Sequence, residues 1–175
     1  MAKLQYRGKA TNDQQEIRAT LSEFGVPYEH WGLRKTASVS DEEILQIYRP
    51  EIDRLMNERG YAAVDLVALH AETTNLEGIL AKFTKEHHHT DDEVRFTVEG
   101  EGVFEIEATT NEFLKFTAEP GDLIVIPAGR RHSFYLTSRR QIRCIRLFQD
   151  KAGWEAIYDK PSVTVTNAAH DGKTL

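Results

Sequence analysis

Apolar positions follow two different periods along this chain, and the change between them falls near residue 60. Before it the spacing is helical: Ile17, Leu21 and Phe24 share one stripe, and Gly25 stands where a left-handed residue closes a helix. Thr11 with Gln14 resembles a capping box, in which a hydroxyl and a carboxamide satisfy each other's exposed backbone donors. Val26 to Trp31 then reads as a short strand. Ser40-Asp41-Glu42-Glu43 signals a second helix start, with acids set against the positive end of the helix dipole. Ile44, Leu45, Tyr48, Ile52, Leu55 and Met56 supply its apolar stripe, and Gly60 ends it. Pro50 inside that stretch predicts a kink or two abutting helices.

From Tyr61 the period shortens. Ala63–Leu69 reads as a strand, and Asn75–Phe83 as a short helix with Leu76, Ile79, Leu80 and Phe83 on one face. Short strand-like runs follow at Glu93–Glu99, Val103–Ala108, Phe113–Thr117, Asp122–Ile126, His132–Thr137, Ile142–Phe148 and Trp154–Tyr158. Glycine, proline and asparagine punctuate them, as turns require. Many short strands at this spacing predict an all-β sandwich or barrel, of which the double-sheet jelly roll is one closure. The expected organisation is a single domain over 1–175. It comprises an N-terminal helical and strand extension over 1–60, a barrel core over about 61–160 and a polar tail over about 164–175.

Composition narrows the function classes. At 175 residues the chain is long enough for one domain with a sizeable core. A formal charge of −6 argues against an electrostatic grip on nucleic acid or anionic lipid. No apolar run approaches the roughly 18–20 residues of a membrane span. Met1 to Arg7 lacks the apolar stretch of a secretory signal. The lone Cys144 excludes an intrachain disulfide framework and fits a reducing compartment. The expectation is a cytoplasmic monomer with no nucleic-acid or membrane partner.

The candidate chemistry lies in Glu86-His87-His88-His89-Thr90-Asp91-Asp92-Glu93-Val94-Arg95-Phe96. In extended chain, residues two apart share a face, so His87 and His89 converge while His88 looks away. Glu93, Arg95 and Thr97 share one face of the following strand, and Val94, Phe96 and Val98 the other. An acid and a base therefore line one side of a strand whose other side is apolar, which places the polar side along a cavity. Pro127-Ala128-Gly129-Arg130-Arg131-His132 brings a further histidine to a strand start. Imidazole and carboxylate donors suit first-row transition metals, and three histidines with one carboxylate leave room for a chelating substrate.

The spacing is similar to that of the cupin superfamily. His87, His89, Glu93 and Gly100 match its first motif, and Gly121, Pro127, Gly129 and His132 its second. Ala81 and Leu136 depart from the pattern at positions that are not ligands. Within the cupins the chain resembles the acireductone dioxygenase family. The resemblance is carried by Asp92-Glu93-Val94-Arg95-Phe96, Val98-Glu99-Gly100-x-Gly102-x-Phe104, Gly25 to Trp31, Ile145-Arg146-Leu147-Phe148 and Gly153-Trp154. Arg130 and Arg131 stand where relatives often carry smaller or neutral residues, which brings the shape of the pocket rim into question.

The resemblance implies a mainly β fold, the cupin double-stranded β-helix, a jelly-roll barrel with a few mostly N-terminal helices. It implies a metal-dependent dioxygenase of methionine salvage with one Fe(II) or Ni(II) per chain, held by His87, His89, Glu93 and His132. The substrates it implies are O2 and an acireductone carrying a methylthio tail. The iron form yields formate and the 2-keto acid precursor of methionine; the nickel form yields methylthiopropionate, formate and carbon monoxide. Arg95 and Arg146 are implied to contact substrate oxygens, and Phe83, Phe134 and Trp154 to wall the pocket. Arg95 has a second reading as an ion pair with Glu93, and Arg146 as a surface arginine. Another metal-dependent cupin enzyme and a non-catalytic binding cupin are the competing functions.

Overall fold

The computed structural model describes residues 2–150 and 155–158. Its elements in chain order are β1 (Lys3–Tyr6), β2 (Lys9–Thr11), α1 (Gln14–Glu23), β3 (Tyr28–His30), α2 (Asp41–Ile47), α3 (Arg49–Arg59) and β4 (Ala63–Leu69). They continue with α4 (Leu76–Thr84), β5 (Glu93–Gly100), β6 (Gly102–Thr109), β7 (Glu112–Ala118), β8 (Asp122–Ile126), β9 (His132–Leu136) and β10 (Ile142–Phe148). One antiparallel sheet has the order β2-β1-β7-β6-β9 and the other β3-β8-β5-β10-β4. This is the mainly β two-sheet architecture the strand spacing predicts.

The helical half matches its local signals in most places. Ser40 accepts from the Glu43 amide while the Glu43 carboxylate accepts from the Ser40 amide, a complete capping box. Pro50 falls in the first turn of α3, where its missing N–H is not needed, so two helices abut. The start of α1 differs from expectation: Asp13, not Thr11, is the N-cap, accepting from the Gln15 and Glu16 amides. Asp13 immediately precedes the helix, two residues nearer than Thr11, and its carboxylate is also favoured by the dipole. The hairpin β1–β2 adds two strands ahead of α1 where the sequence pattern predicts none. It pairs with β7, as β3 pairs with β8, so both sheets recruit strands from the first thirty residues.

Two apolar layers result. Leu4, Ile17, Leu21, Phe104, Ile106, Phe116, Ile124 and Ile126 pack between the sheets and beneath α1. Ile44, Tyr48, Ile52 and Leu55 pack on the opposite face of the second sheet against Val94, Phe96, Val98, Ile145 and Leu147. Each such buried side chain contributes roughly 1.5–3 kcal/mol, so α2 and α3 are integral to the fold. The layer also settles the orientation of β5. Its apolar face meets the helices, which leaves Glu93, Arg95 and Thr97 to face the barrel interior.

The motif glycines have steric causes. Gly100 has φ +72°, and a Cβ there would lie 2.1 Å from the Gln141 carbonyl oxygen. Gly121 has φ +96°, and its Cβ would lie 2.6 Å from the His30 ring. The expected strand Trp154–Tyr158 does not form over its described part, where Ile157 makes only an isolated bridge to His88. Trp154 and the tail over 164–175 lie outside the described residues. Among the described residues no helix is long and apolar enough to cross a membrane.

Candidate metal centre

Two segments far apart in sequence are tied together by their backbones before any side chain is considered. His87 and His132 form an antiparallel bridge, each amide donating to the other's carbonyl at 2.9 Å. The Gly129 amide donates to the His89 carbonyl at 2.8 Å, and the Ala128 amide to Asp92 Oδ1 at 3.0 Å. Asp91 Oδ2 accepts from the Gln149 and Asp150 amides at 2.8 and 3.2 Å, fixing the loop to the end of β10.

Backbone carbonyls then aim the imidazoles. His87 Nδ1 donates to the Lys85 carbonyl at 2.7 Å, His132 Nδ1 to that of Arg130 at 2.8 Å, and His89 Nδ1 to that of Glu155 at 3.1 Å. A nitrogen that donates to a carbonyl carries the ring proton, so each ring can turn Nε2 inward as a donor atom. Glu93 Oε2 lies 2.8 Å from His132 Nε2 and 3.1 Å from His89 Nε2. One ligand atom from each of His87, His89, Glu93 and His132 lies within 4.8 Å of all the others. All four residues are buried.

This donor set fits a transition-metal ion. His87 Nε2 is buried and has no hydrogen-bond partner among the described residues, an orphaned position that an ion satisfies. Burial pushes the His87 imidazole down to about 4, so it stays neutral. Burial alone raises a carboxyl, but the Arg95 charge and the bonds from His132 and His89 hold Glu93 well below the usual carboxylate range. Burial works against a charged His89, yet its bond and proximity to Glu93 raise it overall. His88 turns elsewhere, its amide donating to the Ile157 carbonyl at 3.0 Å, and it contributes nothing to the cluster.

Beside the cluster lies a narrow cavity of about 50 Å³, whose lining includes Phe83, Phe134, Cys144, Arg95 and Arg146. The Phe83 ring is 5.9 Å from that of His87, and the Phe104 and Phe134 rings lie 4.9 Å apart, tilted by 50°. Arg95 and Arg146 are cross-strand neighbours on β5 and β10. Each is gripped by an acid: Arg95 Nε donates to Glu93 Oε1 at 2.7 Å, and Arg146 binds Asp65 through two bonds of 2.7 Å. A larger depression of about 570 Å³ lies under the β1–β2 hairpin, but its lining of Leu4, Tyr6, Thr11, Glu16 and others offers no ligand set.

Arg130 and Arg131, which bring the shape of the rim into question in the sequence, do not line this cavity. Arg130 donates to the Glu107 and Phe24 carbonyls, each at 2.8 Å, and Arg131 binds Glu86, Glu107 and Asn111. The sequence assigns no role to Asp65 or Asp91, and Asp92 enters it only as part of the family motif. Asp65 has a local signal as the single charge in the apolar strand Ala63–Leu69.

Cys144 faces the cavity with Sγ 3.9 Å from Thr97 Oγ1, and burial pushes its thiol up to about 11. At pH 8 only about one molecule in a thousand then carries the reactive thiolate. Native protein should therefore resist iodoacetamide and react once unfolded. Labelling of the native protein at the unfolded rate would contradict this burial.

A two-sheet barrel closing on three histidines and a glutamate defines a cupin with a single-metal centre. The profile of the ARD/ARD′ family matches residues 5–156. An acireductone dioxygenase from a Sulfurihydrogenibium species is 43% identical over 172 residues, covering 91% of this chain and 96% of its own. One from Bacillus cereus is 44% identical over 153 residues, covering 82% and 90%. The solved structure of acireductone dioxygenase from Bacillus anthracis, with a cadmium ion in its active centre, superposes with a TM-score of 0.84. It is 38% identical and covers 90% of this chain and 98% of its own. The chain belongs to the ARD/ARD′ family of metal-dependent dioxygenases.

Proposed function

We propose that this chain cleaves an acireductone with dioxygen, using one Fe(II) or Ni(II) ion held by His87, His89, Glu93 and His132. The observation that carries the reading is the convergence of those four buried donors beside a cavity that joins two arginines to an aromatic wall. The names of the relatives supply the substrate class. When bound, the ion acts as a Lewis acid that makes an enediol hydroxyl easier to ionise and orients a chelating substrate.

The side chains do the rest. Arg95, whose guanidinium plane is fixed by Glu93, holds the anionic oxygens of the substrate. Arg146, fixed by Asp65, adds a second cation on the neighbouring strand. Phe83 and Phe134 exclude water and pack against the thioether tail, where sulfur–aromatic contacts contribute a little. Trp154 lies outside the described residues, and its part in the pocket rests on the family resemblance alone. One chain supplies all four donors, so a monomer suffices as the catalytic unit. The single buried thiol is compatible with the cytoplasm.

The test is to strip the protein with chelator, reload it with one equivalent of Fe(II) or Ni(II), and follow oxygen uptake with the methylthio acireductone. The iron form is expected to give formate and the 2-keto acid, and the nickel form carbon monoxide with methylthiopropionate and formate. No oxygen uptake by either form, with one metal per chain bound, would refute the assignment. It would leave a metal-dependent cupin enzyme for a different small molecule, or a non-catalytic binding cupin, as the reading.

A further inference from the structure

The bridge between His87 and His132 is isolated, tying a segment outside both sheets to the first residue of β9, and two backbone bonds are a weak hold on segments whose spacing must suit an ion. The residues immediately before these histidines are Glu86 and Arg131, and their side chains join across the bridge. Arg131 Nη1 donates to Glu86 Oε1 at 2.6 Å. The other edge of the guanidinium is anchored in the barrel: Nε donates to Glu107 Oε2 at 3.1 Å, Nη2 bonds Glu107 Oε1, and Nη2 reaches Asn111 Oδ1 at 2.9 Å. The group also lies over the Phe113 ring at 5.5 Å. Backbone bonds continue the anchor, since the Glu107 amide donates to the Arg131 carbonyl at 2.9 Å. The adjacent Arg130 carbonyl is the one that orients His132.

We propose that Arg131 is a positioning residue for the metal centre, clamping the Glu86–His87 segment to β6 and thereby setting how slowly the ion escapes. The inference rests on the reading that His87 and His132 ligate one ion. Arg131 never touches that ion or the cavity, so it acts on the lifetime of the bound metal and not on the chemistry. A surface ion pair alone contributes little. Here one planar fork spans two carboxylates and a carboxamide, joining the Glu86 segment to the β6–β7 hairpin, a geometry that lysine cannot reproduce.

The experiment uses Ni(II)-loaded protein mixed with excess chelator, reading metal loss against time, together with turnover per bound metal. Arg131→Gln is expected to lose nickel about tenfold faster, within the range for residues supporting metal ligands, with turnover per metal within about twofold of wild type. Glu86→Gln should share the effect in part, and the double variant should be less than the product of the singles because both act through one contact. Arg131→Lys should recover only part of the lifetime. If Arg131→Gln fails to fold, Glu86→Gln and Arg131→Lys still decide the matter. Metal loss at the wild-type rate, even with a lowered melting temperature, would make Arg131 a plain structural staple and overturn the proposal. Wild-type protein that binds no stoichiometric nickel would instead refute the ligand assignment beneath it.

Discussion

Replacing His132 by alanine is expected to empty the metal site and to abolish the gain in melting temperature that metal gives the wild type. His87, His89 and Glu93 lie close together in sequence, while His132 is 39 residues from Glu93 and is the donor that joins the second segment to them. The four converge only in the folded chain, so binding free energy adds directly to folding free energy. A ligand at about a thousand times its Kd stabilises the native state by about 4 kcal/mol. For a chain of this size that corresponds to a shift of roughly 8–16 °C. The metal-free variant also loses the 2.8 Å contact with Glu93 Oε2, so the informative quantity is the shift on adding metal, measured for each protein against its own metal-free form. His88→Ala is the control and should keep one metal per chain. A His132→Ala protein that still carries one metal per chain would remove His132 from the site.

His87, His89 and Glu93 are legible in the sequence because their signals are short-range, and His132 because it follows its own Pro-x-Gly turn. Extended chain puts His87 and His89 on one side, and Glu93 begins a strand in phase with Arg95. The Ser40 capping box is legible for the same reason, since both halves of it lie within four residues. What fails is whatever depends on distant pairing. Lys3–Tyr6 is four residues long and becomes a strand because Leu4 finds Phe116 on β7. Alternation along β5 separates an apolar from a polar face, but it does not say which is inside. The helices α2 and α3, covering Val94 and Phe96, decide that. Nor can sequence show that the carbonyls of Lys85, Arg130 and Glu155 orient the histidines, because every residue carries a carbonyl. Arg130 and Arg131 lie beside the Pro-x-Gly turn, where the sequence leaves open whether they enter the pocket rim. They point instead toward β6, where Glu107 supplies both a carbonyl and a carboxylate to receive them.

Arg95→Ala is expected to cut turnover per bound metal by about a hundred- to a thousandfold while the protein still folds and loads metal. The residue sits two positions after Glu93 on the interior face of β5, and its side chain is largely buried, 13% exposed. A guanidinium has no lone pair to offer a metal, so proximity to the site assigns it to the substrate or to Glu93. The structure shows the Glu93 contact, Nε to Oε1 at 2.7 Å. That contact makes the structural reading a serious competitor, because the Arg95 charge helps hold Glu93 ionised. The two readings separate by what each variant does. If Arg95 only supports Glu93, Arg95→Ala weakens metal binding, and each metal ion that remains turns over at the wild-type rate. If it holds the oxygens of the reacting enediolate, the loss appears in turnover at full metal loading, since removing one donor to a developing oxyanion costs about 3 kcal/mol. Arg95→Lys sharpens the distinction. Lysine keeps the positive charge beside Glu93, so metal affinity should stay near wild type, but it lacks the planar fork that fixes two oxygens at once, so turnover should still fall. Metal content, melting temperature and turnover measured together for both variants decide it. Wild-type turnover per metal ion in Arg95→Ala would make the residue scaffolding and leave Arg146 to carry the electrostatic part of the mechanism.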